Sequence, residues 1–188
     1  MTAQPKSSLT YPDYLARETA SEVKHDFVNG EVYAMAGGTP EHGALTASLA
    51  RVIGSALEGK PCRTFSSDVR VRVESTGGSF YPDLSVVCGK LGTANDDPHA
   101  VVNPLVLVEV LSEGTEAFDR GAKAGHYRRL SSLREYVLVS QTERRIEVQR
   151  LNDRGTWELY FFGAGDRVEL SSLGISFPID AVYANPLA

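Results

Sequence analysis

The segment PLVLVEVL, residues 104–111, is an almost continuous run of valine and leucine that is interrupted by a single acid, Glu109. A run of this kind is typical of a strand that is buried on both faces of a sheet. A charged carboxylate near the end of such a strand is costly unless a partner neutralises it. The segment therefore predicts a central strand, and it predicts that something close by compensates the charge of Glu109.

A second acid stands in a similar position. The segment YPDLSVVC, residues 81–88, places Asp83 directly before another apolar run. A divalent cation shared by the two carboxylates would compensate both, and Mg²⁺ prefers carboxylate, carbonyl and water oxygens. We therefore predict a site for Mg²⁺ or Mn²⁺ held by Asp83, Glu109 and the backbone carbonyl of Val110. The alternative for Asp83 is an inert, solvent-facing residue that opens a strand after Pro82.

The order of elements predicts an α/β fold. Residues 24–35, KHDFVNGEVYAM, have the alternation and the Asn-Gly turn of a β-hairpin. Thr39 and Pro40 begin a helix, strand-like runs follow, a helix is predicted within residues 114–133, and further strands come after it. We expect a mixed central sheet flanked by helices, with an N-terminal β-hairpin. Residues 1–188 are expected to form one domain, in which residues 1–10 are a loose arm.

Composition excludes several classes of protein. The chain has 188 residues, of which 42% are hydrophobic. Its net charge of −5 disfavours strong, permanent binding of nucleic acid. No apolar run is long enough to span a membrane, and the N-terminus has no signal-peptide pattern, so a cytoplasmic location is expected. Cys62 and Cys88 are expected to be buried, inert thiols in a reducing compartment.

Positive charge is concentrated in the second half of the chain. Residues 119–154 contain 9 basic and 5 acidic side chains, an excess of +4. This excess would suit a polyphosphate ligand, although a solvated surface explains it equally well. Within this range, Ile146 and Val148 alternate with polar residues, which is typical of a strand with one face in water.

A lysine near the two acids would stabilise a phosphoryl group. Position 111 lies on the same strand face as Glu109, but it is a leucine, so the strand supplies no lysine. Lys123 is the candidate, on the helix that follows, with Asp119 four residues before it on the same face. The alternative is a surface ion pair of little energetic value.

These motifs resemble a known family. The Pro-Asp pair at 82–83, the EVLS segment at 109–112 and the segment 114–139 resemble the Uma-two family of restriction endonucleases, within the PD-(D/E)XK nuclease superfamily. The resemblance extends upstream over residues 24–49 and covers most of the chain. It implies a restriction-endonuclease-like fold, a magnesium-dependent site and hydrolysis of DNA phosphodiester bonds.

The resemblance also implies roles for individual residues. Asp83 and Glu109 match the acidic residues of the motif, and Lys123 matches a lysine that is relocated from the strand to the next helix. His42 matches the family's histidine, although a helix-start residue in contact with solvent is an equal reading. Asp26 stands where the family often has a glutamate, and its shorter side chain argues against a supporting role. Three large aromatic residues are expected to serve in packing: Tyr127, Tyr136 and Trp157.

Three functions stay open from the sequence. The first is a magnesium-dependent endonuclease that acts on DNA as a homodimer, since cutting both strands of a duplex requires two sites. The second is a binding or assembly module that keeps the nuclease fold without catalysis. The third is a glycosidase with a carboxylate pair, which the small number of aromatic residues disfavours.

Overall fold

The computed structural model describes residues 8–35 and 37–184. Its helical elements are α1 (Tyr11–Ala20), α2 (Pro40–Ala56), α3 (Glu116–Phe118) and α4 (Ala124–Tyr127), with a π-helical turn at Asp119–Lys123 and 3₁₀ turns at Ser171–Leu173 and Ile179–Ala181. Its strands are β1 (His25–Val28), β2 (Glu31–Ala34), β3 (Cys62–Ser66), β4 (Arg70–Val73), β5 (Gly78–Phe80), β6 (Leu84–Cys88), β7 (Ala100–Val101), β8 (Val106–Leu111), β9 (Glu135–Ser140), β10 (Ile146–Leu151), β11 (Trp157–Phe162), β12 (Arg167–Leu170) and β13 (Ile175–Pro178).

A six-stranded sheet with the order β11-β10-β9-β8-β6-β3 forms the centre of the fold. β8 and β9 are parallel, whereas every other neighbouring pair in this sheet is antiparallel. β8 is buried along its whole length, as the valine and leucine run predicted. The prediction of a mixed central sheet flanked by helices is confirmed.

The two faces of the central sheet have different cores. Val106, Val108 and Val110 of β8 belong to the core that packs under α2 and under the β12–β13 hairpin. Leu107 and Leu111 belong to the core on the other face, which α4 covers. Because side chains alternate along a strand, Glu109 lies on this second face, beneath the helical segment that carries Lys123.

The N-terminal hairpin forms as predicted and belongs to a second, five-stranded sheet with the order β2-β1-β5-β4-β7. Its turn residues Asn29 and Gly30 both have positive φ, 52° and 80°, as the favoured two-residue hairpin turn requires. The Leu9 N–H donates to the Gly30 carbonyl at 2.9 Å. Residues 1–7 of the expected loose arm lie outside the described residues.

The helix predicted within residues 114–133 is shorter and less regular than expected. Only residues 116–127 are helical, and the middle of this stretch is a π-helical turn. Thr115, which the sequence suggests as the cap of this helix, makes no side-chain capping hydrogen bond. Gly121 and Gly125 are poor helix formers, and π-helical turns inside helices are frequently found at functional sites.

Cys62 and Cys88 form a disulfide, so the prediction of two free thiols is wrong. The register of β3 and β6 places them directly opposite each other, with Cα atoms 4.0 Å apart. A spacing of 26 residues in the sequence does not reveal this register. Disulfides persist mainly in oxidising compartments, so the disulfide counts against the cytoplasmic location, which stays a prediction.

Among the described residues, no helix has both the length and the apolarity that crossing a bilayer requires.

Candidate active site

Asp83 directly follows Pro82 and lies immediately before β6, at the end of the central sheet. Its Oδ2 atom accepts a hydrogen bond from the Val110 N–H at 2.7 Å. The same oxygen lies 3.2 Å from Nε2 of His42. These two contacts tie the first residue after Pro82 to the end of β8 and to the start of α2.

His42 stands in the first turn of α2. Thr39 caps this helix, and its hydroxyl accepts the His42 N–H at 3.2 Å. A β-carbon at Gly38 would lie only 2.9 Å from His42 Nδ1, so a glycine at this position leaves room for the ring. The hydrogen bond to Asp83 raises the pKa of His42, and this effect outweighs partial burial, which lowers it.

Glu109 is 4% exposed and is held by two side chains. Its Oε1 atom lies 2.7 Å from Lys123 Nζ and accepts a hydrogen bond from the Tyr127 hydroxyl at 2.9 Å. Burial raises the pKa of Glu109 well above its usual range; the Lys123 charge opposes this shift, and the Asp83 and Asp119 charges add to it.

Lys123 is 5% exposed and is surrounded by acids. Besides Glu109, its ammonium lies 3.2 Å from Asp119 Oδ1 and 3.9 Å from Asp26 Oδ2. Burial alone would lower the pKa of Lys123, but attraction to Glu109, Asp26 and Asp119 raises it. The Asp119–Lys123 pair is therefore buried, and the alternative of a surface ion pair is excluded.

We call the group formed by Asp26, Asp83, Glu109, Asp119, Lys123 and His42 the acid cluster. Its four carboxylates, when ionised, face one lysine and one histidine, so negative charge is in excess even with His42 protonated. Buried like charges are unfavourable, and such a site gains stability from bound protons or from a cation.

The oxygen atoms of the acid cluster fit a hard cation. Asp83 and Glu109 each use one oxygen for protein contacts, whereas Asp83 Oδ1 and Glu109 Oε2 form no hydrogen bond with the described residues. Within this part of the chain, no three His, Cys, Asp or Glu side chains are grouped so as to bind a metal by themselves. Mg²⁺ is commonly held by only one or two carboxylates, with water and substrate phosphates completing the shell. Asp83, Glu109 and the Val110 carbonyl therefore suit this ion.

A cleft of about 610 Å³ opens beside Asp83 and His42. One wall is the face of α2 that bears the small residues Gly43, Ala47 and Ala50, and the other walls come from the segment before β1 and from the turn after β3. The cleft gives a ligand a route to His42 and Asp83, while Glu109 and Lys123 lie deeper.

The acid cluster contains residues that sequence reasoning set aside. Asp26 reaches it because β1 pairs with β5, and its Oδ1 atom accepts the Tyr81 N–H at 3.0 Å. Burial is the largest cause that raises the pKa of Asp26. Tyr127 was expected only to pack, and it also donates to Glu109. The family's acid at position 26 was the one available signal for Asp26.

Part of the basic excess in residues 119–154 is paired with acids of the central sheet. Arg120 and Arg145 both pair with Glu147, at 2.6 and 3.0 Å. Arg150 pairs with Glu135 at 2.7 Å. β10 was expected to have one face in water, but its first four residues, 146–149, are buried, so this expectation is wrong. These three arginines therefore neutralise buried acids of the sheet and are not free to bind a ligand.

Comparison with known proteins places the chain in a family. The model of the Uma2 family, described as "Putative restriction endonuclease", matches residues 11–180. The chain belongs to the Uma2 family. Two relatives from Synechocystis sp. are described as "Uncharacterized protein": slr1290 is 35% identical, over 95% of this chain and 93% of its own length, and sll1609 is 32% identical, over 89% and 95%.

A solved structure supports the fold of this Uma2 chain. A protein from Anabaena variabilis, described as a putative nuclease belonging to DUF820, superposes with a TM-score of 0.77. It is 17% identical, and the match covers 93% of this chain and 97% of that one. The prediction of a restriction-endonuclease-like fold is thereby confirmed, and the family description supports a nuclease.

Proposed function

We propose that this Uma2 protein is an endonuclease that hydrolyses DNA phosphodiester bonds with the help of Mg²⁺ or Mn²⁺. One observation carries the proposal: the acid that follows Pro82, the acid of β8 and the lysine of the next helix converge in one buried cluster. Nothing in packing alone requires an excess of buried carboxylates. The adjoining cleft supplies the access that a substrate needs.

The cation would be held by Asp83 Oδ1, Glu109 Oε2 and the Val110 carbonyl. When bound, it would neutralise charge on the phosphate and lower the pKa of a coordinated water. It would also remove the repulsion between the carboxylates, which is the physical reason for expecting it here.

The roles of the protein groups follow from their positions. Lys123 keeps its proton because three acids surround it, so it supplies a fixed positive charge next to the phosphate site. Tyr127 orients Glu109 through Oε1 and leaves Oε2 free. His42 lies at the cleft and can exchange a proton with water while Asp83 holds its ring.

The test is cleavage of supercoiled and linear DNA by purified protein, with Mg²⁺, Mn²⁺ or a chelator. We expect cleavage that requires the metal, and a loss of about 10²-fold or more in Asp83→Asn and in Lys123→Met. Arg129→Met, at an exposed position outside the acid cluster, is the matched control and should retain activity. Cleavage that survives both cluster substitutions would reject the assignment.

The second candidate is a module that binds nucleic acid or a protein partner without catalysis. The absence of a three-side-chain metal group among the described residues and the net charge of −5 favour it. Isothermal titration with Mg²⁺ and Mn²⁺ separates the two candidates. Metal binding that Asp83→Asn abolishes supports the nuclease, and no binding of either ion supports the module.

Duplex cleavage bears on the oligomeric state. A homodimer whose two sites face the same duplex would bring one site to each strand. Products from supercoiled DNA distinguish the cases, because paired sites give linear DNA directly whereas independent sites give nicked circles first.

A further inference from the structure

The outer edge of the central sheet carries an unusual surface. β11 is the last strand in the order, and among the described residues it pairs only with β10. Three consecutive large side chains are exposed here: Leu159 at 50%, Tyr160 at 36% and Phe161 at 54%. A long apolar edge strand without proline or a bulge is a template for another strand.

The hydrogen-bond register shows which backbone groups of β11 are free. The Asn152 N–H donates to the Thr156 carbonyl at 2.9 Å, and the Leu151 N–H donates to Arg134 on the opposite side. Because these directions alternate along antiparallel strands, the residues that face β10 are Glu158, Tyr160 and Phe162. The backbone groups of Trp157, Leu159 and Phe161 therefore point outward.

We propose that β11 pairs with β11 of a second copy of this chain, antiparallel, about a two-fold axis at Leu159. Leu159 then faces the partner's Leu159, and Trp157 faces the partner's Phe161. All three outward residues find donors and acceptors in this register. Each facing pair exchanges two hydrogen bonds, as in an ordinary antiparallel ladder.

Charge and shape are self-complementary in this register. Glu158 comes next to the partner's Tyr160, and in each copy the Arg150 guanidinium lies 4.5 Å from the centre of the Tyr160 ring. Arg150 is already paired with Glu135 in its own copy. Glu158 therefore gains a polar neighbour in the partner's Tyr160 hydroxyl rather than a new ion pair, and this contact occurs twice, once on each side of the axis. On the other face, Trp157 meets an aromatic ring, a pairing that stabilises adjacent strands. These features favour a second copy over an unrelated partner.

This dimer has a consequence that rests on the proposed function. β11 runs in the same direction as β8, because β8 and β9 are parallel and two antiparallel pairings follow. The two-fold axis reverses the partner, so the two acid clusters lie at opposite ends of the joined sheet. Seven strand spacings of about 4.8 Å place β8 roughly 34 Å from its copy. The two sites would therefore cut separate strands in independent events.

The experiment is sedimentation of the full chain over a wide range of concentrations, together with the fluorescence of its single tryptophan. The mass should rise from 20.4 kDa towards twice that value. Trp157 emission should shift to shorter wavelength over the same range, since the tryptophan enters the interface. A chain that stays monomeric throughout overturns the proposal.

Variants locate the interface independently of nuclease activity. Leu159→Pro removes an outward N–H and leaves the pairing with β10 intact, so it should weaken association by about tenfold or more. Phe161→Lys leaves the backbone unchanged and should also weaken it. Tyr33→Lys, at an equally exposed position on β2, is the matched control and should associate normally. Dimers that survive both β11 substitutions overturn the proposal, whereas a dimer lost in both supports it even if no DNA is cut.

Discussion

Two buried glutamates on neighbouring strands of the central sheet have opposite environments. Glu135 of β9 is 0% exposed, and its carboxylate accepts hydrogen bonds from Arg150, from the N–H groups of Ser171 and Ser172, and from the Ser172 hydroxyl. Glu109 of β8 is almost equally buried, but it shares one lysine with two other acids, Asp26 and Asp119. Burial alone therefore does not distinguish an acid with a structural role from the acid that is proposed to bind the cation.

The difference lies in local neutrality. The charge of Glu135 is compensated by a dedicated arginine and by backbone donors, so it completes the link between β9, β10 and the turn after β12. The charge of Glu109 is only partly compensated, and the shortfall is what a cation would supply. An excess of buried charge next to a cleft is the feature that indicates chemistry.

The largest expected contrast is in activity. Glu109→Gln keeps the shape and the contact with Tyr127 but removes the carboxylate, so DNA cleavage should fall by about 10²-fold or more. Its free energy of unfolding should stay within about 1 kcal/mol of the wild type, because the substitution also removes a desolvated charge. Cleavage assays and denaturant titrations on the same preparation measure both. Full activity in this variant would contradict the assignment of Glu109.

The mirror substitution should affect stability. Glu135→Gln leaves the Arg150 guanidinium partly buried without its anionic partner, and we expect a loss of about 3 kcal/mol. For a chain of this length, this loss lowers the melting temperature by about 6–12 °C. Activity per folded molecule should be retained. Calorimetry measures the loss of stability in Glu135→Gln. If this variant lost activity without losing stability, the proposed difference between the two glutamates would be contradicted.

Metal should stabilise one glutamate environment and not the other. Saturating Mg²⁺ or Mn²⁺ should raise the melting temperature of the wild type and of Glu135→Gln, by an amount equivalent to about 1–3 kcal/mol. Glu109→Gln should show little response. An equal metal response in all three proteins would place the cation elsewhere.

The smallest expected effect concerns the orientation of Glu109. Tyr127→Phe removes the hydroxyl that donates to Oε1, and the loss in stability should be about 1 kcal/mol. Cleavage should fall by about tenfold, because Lys123 is then the only one of the two close partners that still holds the Glu109 carboxylate. Tyr136→Phe, whose hydroxyl donates to the Asp119 carbonyl rather than to Glu109, is the matched control. A larger loss of cleavage in the control would show that packing, rather than orientation, is responsible.

Local signals predicted much of the architecture. The Asn-Gly turn, the Thr39 cap and the buried run of β8 each depend on neighbouring residues only, and the structure contains the elements they predicted. Asp83 and Glu109 were selected from the apolar runs beside them, and the resemblance to the family favoured Lys123 over a surface ion pair; the structure brings the three residues together. Their catalytic roles stay predictions.

The sequence by itself determined the order of elements, the burial of β8 and the residues able to carry the chemistry, because these depend on hydrophobic period, turn chemistry and residue type. Only the tertiary structure decided that Asp26 enters the acid cluster, that Cys62 meets Cys88, and that the arginines near Glu135 and Glu147 serve in ion pairs. Each of these depends on strand register or on chain segments distant in sequence. Spacing along the chain carries no record of such contacts.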